Sequence, residues 1–224
     1  MKIFYERYKH AIPLIIYAFI YCSWFAFLEK TVTYPQTIIH VWIDDLIPFC
    51  EWFVIPYFLW FVYVSAVVLY CFFRNKQEYC RTCVFLFTGM TIFLVISTLW
   101  PNGHHLRPYE MPRDNVFTQI LACLYKMDTP TNLWSSIHVY NSIGAHLAVT
   151  RCPKLADKKI IRMGSFTLCA SIILSTVFIK QHSVFDVLTA FVMALVMYIV
   201  VYQFDIVAAF RTSRSSSGRR IRHI

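Results

Sequence analysis

The chain has 224 residues, of which 58% are hydrophobic and 15% charged, and its mean hydropathy is +0.53. Those values lie outside the range of an ordinary soluble domain and point to an integral membrane protein. The net charge of +9 has to be read segment by segment, because Lys and Arg near span ends orient a membrane chain while acidic residues contribute little.

A span needs about 20 mostly apolar residues, and six stretches approach that length: 11–28, 52–73, 84–100, 133–150, 163–180 and 184–206. The first follows Lys2, Arg7 and Lys9, as in a signal peptide, but its apolar run ends in Phe27-Leu28-Glu29 without a small-residue cleavage site and reads as a retained span. Stretch 84–100 is short enough to stand upright, and 184–206 is long enough to tilt. The expected fold is therefore an all-α membrane protein of six transmembrane helices, one domain over 1–210, with no internal repeat. The tail RTSRSSSGRRIRHI (211–224) reads as a solvated, disordered basic segment.

Most basic residues fall in the N-terminus, the links 74–81 and 151–162, and the tail. If every helix crosses, these share one side, which the charge rule makes cytoplasmic, most simply at the cell membrane. Such charge reads as a topology signal and a partner for anionic lipid heads, in preference to nucleic acid. The opposite side then holds 29–51, 101–132 and the turn between the fifth and sixth helices, with Trp52, Trp100 and Trp134 near its boundary. Asp44, Asp45 and Glu51 read as a solvated acidic loop, with contact to a lipid headgroup as the functional alternative. The eight Cys lie largely inside spans as small apolar residues. Cys80-x-x-Cys83 lacks the second pair of a zinc or redox site.

The turn before the last span, FIKQHSVFDV (178–187), sets a Lys, a His and an Asp in a membrane-like run. Lys180 can snorkel, His182 can cap the turn and Asp186 can pair with one of them; alternatively the three belong to a reaction centre, the default reading of intramembrane ionisable residues. His182 and Asp186 are four apart, so a shared helix face would let the carboxylate fix the imidazole tautomer and leave the other nitrogen as nucleophile. On the same side, Arg107 offers a planar fork for phosphate or carboxylate. Ser135 or Ser136 can cap the fourth helix, His138 lies in its first turn, and the amides of such a helix start favour an anion. Together these residues make a coherent anion-transfer site.

Their order and spacing resemble the type 2 phosphatidate phosphatases of the lipid phosphatase and haloperoxidase superfamily. That family shows Lys-x6-Arg-Pro, then Pro-Ser-x-His, then Ser-Arg-x5-His-x3-Asp. Arg107-Pro108, Ser136-Ile137-His138 and Ser175 with His182 and Asp186 match in order. Trp100, Ser135 and Thr176 replace the family's Lys, Pro and Arg, and Lys180 stands two residues before His182 as a replacement cation. SIHVYNS and IKQHSVFDV look closer to the branch that includes inositol phosphorylceramide synthases, which transfer a phospho-headgroup.

The resemblance implies a metal-independent lipid phosphate phosphatase that needs no cofactor, with its active site near the extracytoplasmic face. His182 would attack phosphorus to form a phosphohistidine, Asp186 would stabilise the imidazolium, and His138 would protonate the leaving oxygen. Arg107, Lys180 and Ser136 would hold the phosphate oxygens. His104 and His105, adjacent in a loop, lack the orientation of paired metal ligands. The alternatives are a phospho-headgroup transferase, a small transporter, or an inactive lipid-binding membrane protein. The lipid and the oligomeric state are not legible.

Overall fold

The computed structural model describes residues 9–208, so Lys2, Arg7 and the tail from Arg211 lie outside the described residues. After a 3-10 turn at Lys9–Ala11, the helices are α1 (Ile12–Thr31), α2 (Trp42–Leu46), α3 (Val54–Arg74), α4 (Lys76–Leu99), α5 (Val116–Met127), α6 (Ile137–Arg151), α7 (Pro153–Ala156), α8 (Lys159–Phe178) and α9 (Val184–Tyr198). A π-helical segment, Ile199–Gln203, continues α9. Two short strands, β1 (Thr37–Ile38) and β2 (Asn102–Gly103), pair in parallel.

Five helical segments are long and apolar enough to cross a membrane: Lys9–Thr31, Glu51–Arg74, Lys76–Leu99, Lys159–Phe178 and Val184–Gln203. Their outward faces are apolar, with Phe19 75%, Phe73 64% and Val192 62% exposed, as lipid contact requires. Helix α6, expected over 133–150, has 15 residues, or roughly 22 Å of rise, and is not among the five. It packs against α8, α4, α3 and α9. Surrounded in this way, it carries His138, Asn141, Ser142 and His146 within a single helix.

The fit of α4 on α6 is reciprocal. The Tyr140 ring lies over Gly89, where an added Cβ would sit 2.1 Å from Tyr140 Cε1, and the Phe85 ring lies against Gly144, where a Cβ would sit 2.7 Å from Phe85 Cδ1. The two rings stack at 4.6 Å, and the Tyr140 hydroxyl donates to the Phe85 carbonyl at 2.8 Å. Small residues that admit this close approach replace the hydrophobic drive that lipid removes.

Three sequence expectations need correction. The link 74–81 is almost wholly helical: Asn75 alone separates α3 from α4, and its side chain accepts from the Gln77 and Glu78 amides, starting α4 eight residues earlier than its apolar run. The segment 101–132 contains the amphipathic α5, begun by Asn115, which accepts from the Phe117 and Thr118 amides. Residues 133–136 form a bent, non-helical approach to α6 instead of its first turn. The Asn102 side chain accepts from the amides of Leu133 and Trp134, both at 2.9 Å.

Of the three acidic residues expected in a solvated loop, only Asp45 is exposed. Asp44 is 2% and Glu51 1% exposed. Glu51 receives both arms of Arg113, at 2.8 and 2.7 Å, and the Asn115 amide group. Asp44 accepts from the Ser183 hydroxyl at 2.6 Å and from the Val184 and Val41 amides at 2.8 and 2.9 Å. It therefore ties the segment between α1 and α3 to the start of α9, while Asp45 pairs with His40.

Candidate active site

Three chain segments converge where α6 and α9 begin. Helix α9 starts with a capping box in which Ser183 accepts from the Phe185 amide and Asp186 accepts from the Ser183 amide at 3.0 Å. His182 lies in the turn just before the helix, not on it. Its amide bonds the Thr176 carbonyl, and its Nδ1 faces Asp186 Oδ2 at 3.4 Å. The predicted pair forms, but the contact is long for a charge-assisted bond. The Leu133 carbonyl also lies beside the ring. Burial pushes the imidazole down to about 3, with the Arg107 charge acting in the same direction, so at neutral pH His182 is uncharged and keeps a lone pair.

Ser136 begins α6 as expected, accepting from the Val139 amide at 3.4 Å. Its own amide points to the Asp186 carbonyl at 3.5 Å, which brings the starts of α6 and α9 together. His138 follows in the first turn. Its ring stacks on Tyr57 at 4.4 Å and tilts against Trp60 at 4.4 Å. Its centroid is 6.1 Å from that of His182. Two aromatic faces from α3 thus hold a ring whose nitrogens are both buried without a hydrogen-bond partner.

Arg107 belongs to the same neighbourhood, but most of its donors are committed. Nη1 donates to the Tyr125 and Asp128 carbonyls at 3.3 and 2.7 Å, and Nη2 to the Thr129 carbonyl and to Gln181 Oε1 at 3.4 and 2.5 Å. The guanidinium also lies over the Tyr125 ring, 4.5 Å from its centroid. Only Nε is buried without a partner. Arg107 therefore supplies a fixed positive charge and one free N–H.

Lys180 is directed elsewhere. With φ at 52°, it sends its ammonium to the carbonyls of Asp44 and Ile47, at 2.8 and 2.6 Å. It lines a surface cleft with His40, Asp45 and His105.

Three supporting residues were not singled out from the sequence for this site. Gln181 holds Arg107 through its side chain and His104 through its carbonyl, at 3.0 Å. His104 Nδ1 accepts from the Leu106 amide, which leaves the proton on Nε2. Burial pushes its imidazole down to about 4. Asp44 fixes Ser183 beside His182. A signal for Gln181 was present in its place next to His182, whereas Asp44 gave none, being 139 positions from Ser183.

Arg107 Nε, Ser135 Oγ, both His138 nitrogens, Asn141 Oδ1, Gln181 Nε2 and Asp186 Oδ1 are all buried polar atoms without a protein partner. Such an atom costs about 1–3 kcal/mol when left unmet; four of these six residues, Arg107, Ser135, His138 and Asp186, are ones the sequence pointed to, and their unmet atoms can meet a polar ligand. Beside it runs an apolar groove of about 460 Å³, lined by Tyr17 and Tyr21 of α1, Trp60 and Phe61 of α3, Leu86 of α4 and Asn141. Trp60 and Phe61 also touch the His138 ring. Among the described residues no group of three or more His, Cys, Asp or Glu is arranged to hold a metal ion.

Comparison of the chain with protein-family models, curated proteins and solved structures finds no match in any of the three.

Proposed function

We propose that the chain is an integral membrane enzyme that transfers a phosphoryl group from a lipid phosphate through His182, in the manner of the type 2 phosphatidate phosphatases. The observation that carries this reading is the pair of buried imidazoles 6.1 Å apart, one beside a carboxylate and the other with both nitrogens unpartnered. The neutral His182 attacks phosphorus, the lipid oxygen leaves with a proton from His138, and Asp186 stabilises the imidazolium. Water activated by His138 then cleaves the phosphohistidine, releasing phosphate and restoring the ring. The Arg107 charge balances the equatorial oxygens. The apolar groove against Trp60 and Phe61 accommodates a lipid tail beside the proton donor. We place the site near the extracytoplasmic face of six spans, α6 being the shielded sixth, in the cell membrane, with both termini cytoplasmic.

A second reading has a specific observation in its favour. With Lys180 bound to carbonyls and Thr176 in place of the family's Arg, Arg107 is the cation left for the oxygens. One cation suits a singly charged phosphodiester better than a dianionic monoester, as in phospho-headgroup transfer to an alcohol.

The test is a panel of lipid monophosphates, pyrophosphates and phosphodiesters given to purified protein in chelator, with and without acceptor alcohols. Release of inorganic phosphate, blocked by vanadate, supports the phosphatase; transfer only with acceptor supports the second reading. Lipid binding with neither outcome leaves a lipid-binding protein without turnover.

A further inference from the structure

At the other end of α6 and α8 lies a second cleft, of about 490 Å³, that mixes basic and apolar side chains. His146 and Thr150 of α6 and Lys159, Arg162 and Thr167 of α8 line it, and none of its lining residues is acidic. His146 is eight residues beyond His138, about 12 Å along the helix, and Lys159 stands roughly 30 Å from the end of α8 that leads to His182. This cleft is separate from the candidate active site.

Its histidine is oriented by a relay from the core. The Tyr63 hydroxyl lies 2.7 Å from Ser165 Oγ, and Ser165 Oγ lies 2.9 Å from His146 Nδ1. Tyr63 and Ser165 are both buried, each 7% exposed. A tyrosine that donates to the serine lets the serine donate to Nδ1, which places the imidazole proton on Nε2 of a ring that lines the cleft. An N–H donor thus joins two cationic side chains. Helix α8 also begins beside them without a side-chain cap, and free amides at a helix start favour an anion.

We propose that this cleft binds the phosphate group of an anionic membrane lipid. The donors suit a phosphate oxygen, and the surroundings decide its source. Met163 and Phe166, which complete the lining, are 59% and 62% exposed, and Ile160 beside them is 87% exposed. A free phosphate ion prefers a fully wet site; a headgroup carries acyl chains that cover such apolar surface. The proposal does not depend on the chemistry at His182.

The full-length protein in neutral detergent is titrated with phosphatidylglycerol and, separately, with diacylglycerol of the same chains, with bound lipid counted by native mass spectrometry. Phosphatidylglycerol binds and diacylglycerol does not compete. Lys159→Gln with Arg162→Gln weakens binding roughly 30-fold, from the usual contribution of a basic residue facing an anionic lipid. His146→Phe weakens it several-fold, and Lys154→Gln, outside the cleft, leaves it unchanged. Unfolding midpoints report folding: phosphatidylglycerol raises that of the parent protein and not that of the double variant. If the double variant itself unfolds early, the two single variants carry the comparison. Unchanged binding by the cleft variants overturns the proposal, and so does an equal loss in Lys154→Gln, which marks diffuse attraction. Displacement of the lipid by millimolar inorganic phosphate overturns the lipid as the source.

Discussion

The imidazole of His138 lies 6.1 Å, centroid to centroid, from that of His182, and only His182 has a carboxylate beside it. On the proposed mechanism this asymmetry separates the nucleophile from the proton donor, and the two variants should differ accordingly. His182→Ala loses nearly all activity on every substrate and traps no acid-labile phosphoenzyme. His138→Ala loses roughly 10²- to 10⁴-fold on a natural lipid, whose alkoxide needs a proton to leave. It stays far more active on p-nitrophenyl phosphate and accumulates phosphohistidine. Equal damage to both substrates, with a phosphoenzyme still formed by His182→Ala, reverses or removes the assignment.

The pH profile gives a second check. His182 is held down to about 3 by burial and by the Arg107 charge, so its protonation does not limit the free enzyme near neutrality. The acid limb of kcat/KM falls below pH 5. A limb near 6.5, the ordinary histidine range, contradicts a desolvated nucleophile if it remains once the lipid phosphate's own second ionisation, at about 6, is accounted for.

The same shifts bear on stability. His104 titrates at about 4 in the folded protein and near 6.5 when unfolded. Between those values the unfolded chain binds the extra proton, so stability is full above pH 6.5 and is lost as the pH falls toward 4. The loss assigned to His104 is about 2 kcal/mol at pH 5. The unfolding midpoint in detergent should drop over this window, and His104→Asn should flatten the drop.

Asp44 carries the fourth expectation. Asp44→Ala leaves the Val41 and Val184 amides and the Ser183 hydroxyl without their acceptor, at about 1–3 kcal/mol for each group that stays buried and unmet. Thermal unfolding should show that loss. Because Ser183 adjoins His182, kcat should fall at least about tenfold with little change on Asp45→Ala, where the carboxylate is exposed.

Topology is tested at residues that a reagent can reach. Asn102 is a poor labelling site, being fully buried and bonded to Leu133 and Trp134. Tyr109 is fully exposed. In a background with Cys22 and Cys123 replaced, since these are exposed thiols, Tyr109→Cys should react with an impermeant reagent in intact cells and Lys158→Cys should not. The opposite pattern moves the candidate active site to the cytoplasmic side.

The sequence shows most clearly what depends on local spacing. Helices α8 and α9 were legible from their apolar runs, and the His182–Asp186 pair from a separation of four. The start of α4 was hidden because Lys76, Glu78 and Arg81 read as a loop, although Asn75 was the capping signal. Burial of Asp44 and Glu51 was not legible, since their partners Ser183 and Arg113 lie 139 and 62 positions away. The direction of Lys180 was also hidden: a single positive φ turns it toward carbonyls instead of toward His138 and His182. Arg107 was singled out as a phosphate-binding cation, but the sequence did not show that its four terminal N–H groups are taken by carbonyls and Gln181.

Helix α6 has a consequence for how the chain is made. A 15-residue helix containing His138, Asn141, Ser142 and His146 is a poor candidate for leaving the insertion machinery alone, because each buried polar group raises the cost of entering hydrocarbon. Helices α3 and α4 precede it in synthesis, and α8 and α9 follow. If α6 is the sixth span, as proposed, its insertion depends on partners on both sides. Substitutions that weaken the Gly89–Tyr140 fit will act on biogenesis, as lower yield of inserted protein, before they act on the stability of the finished fold.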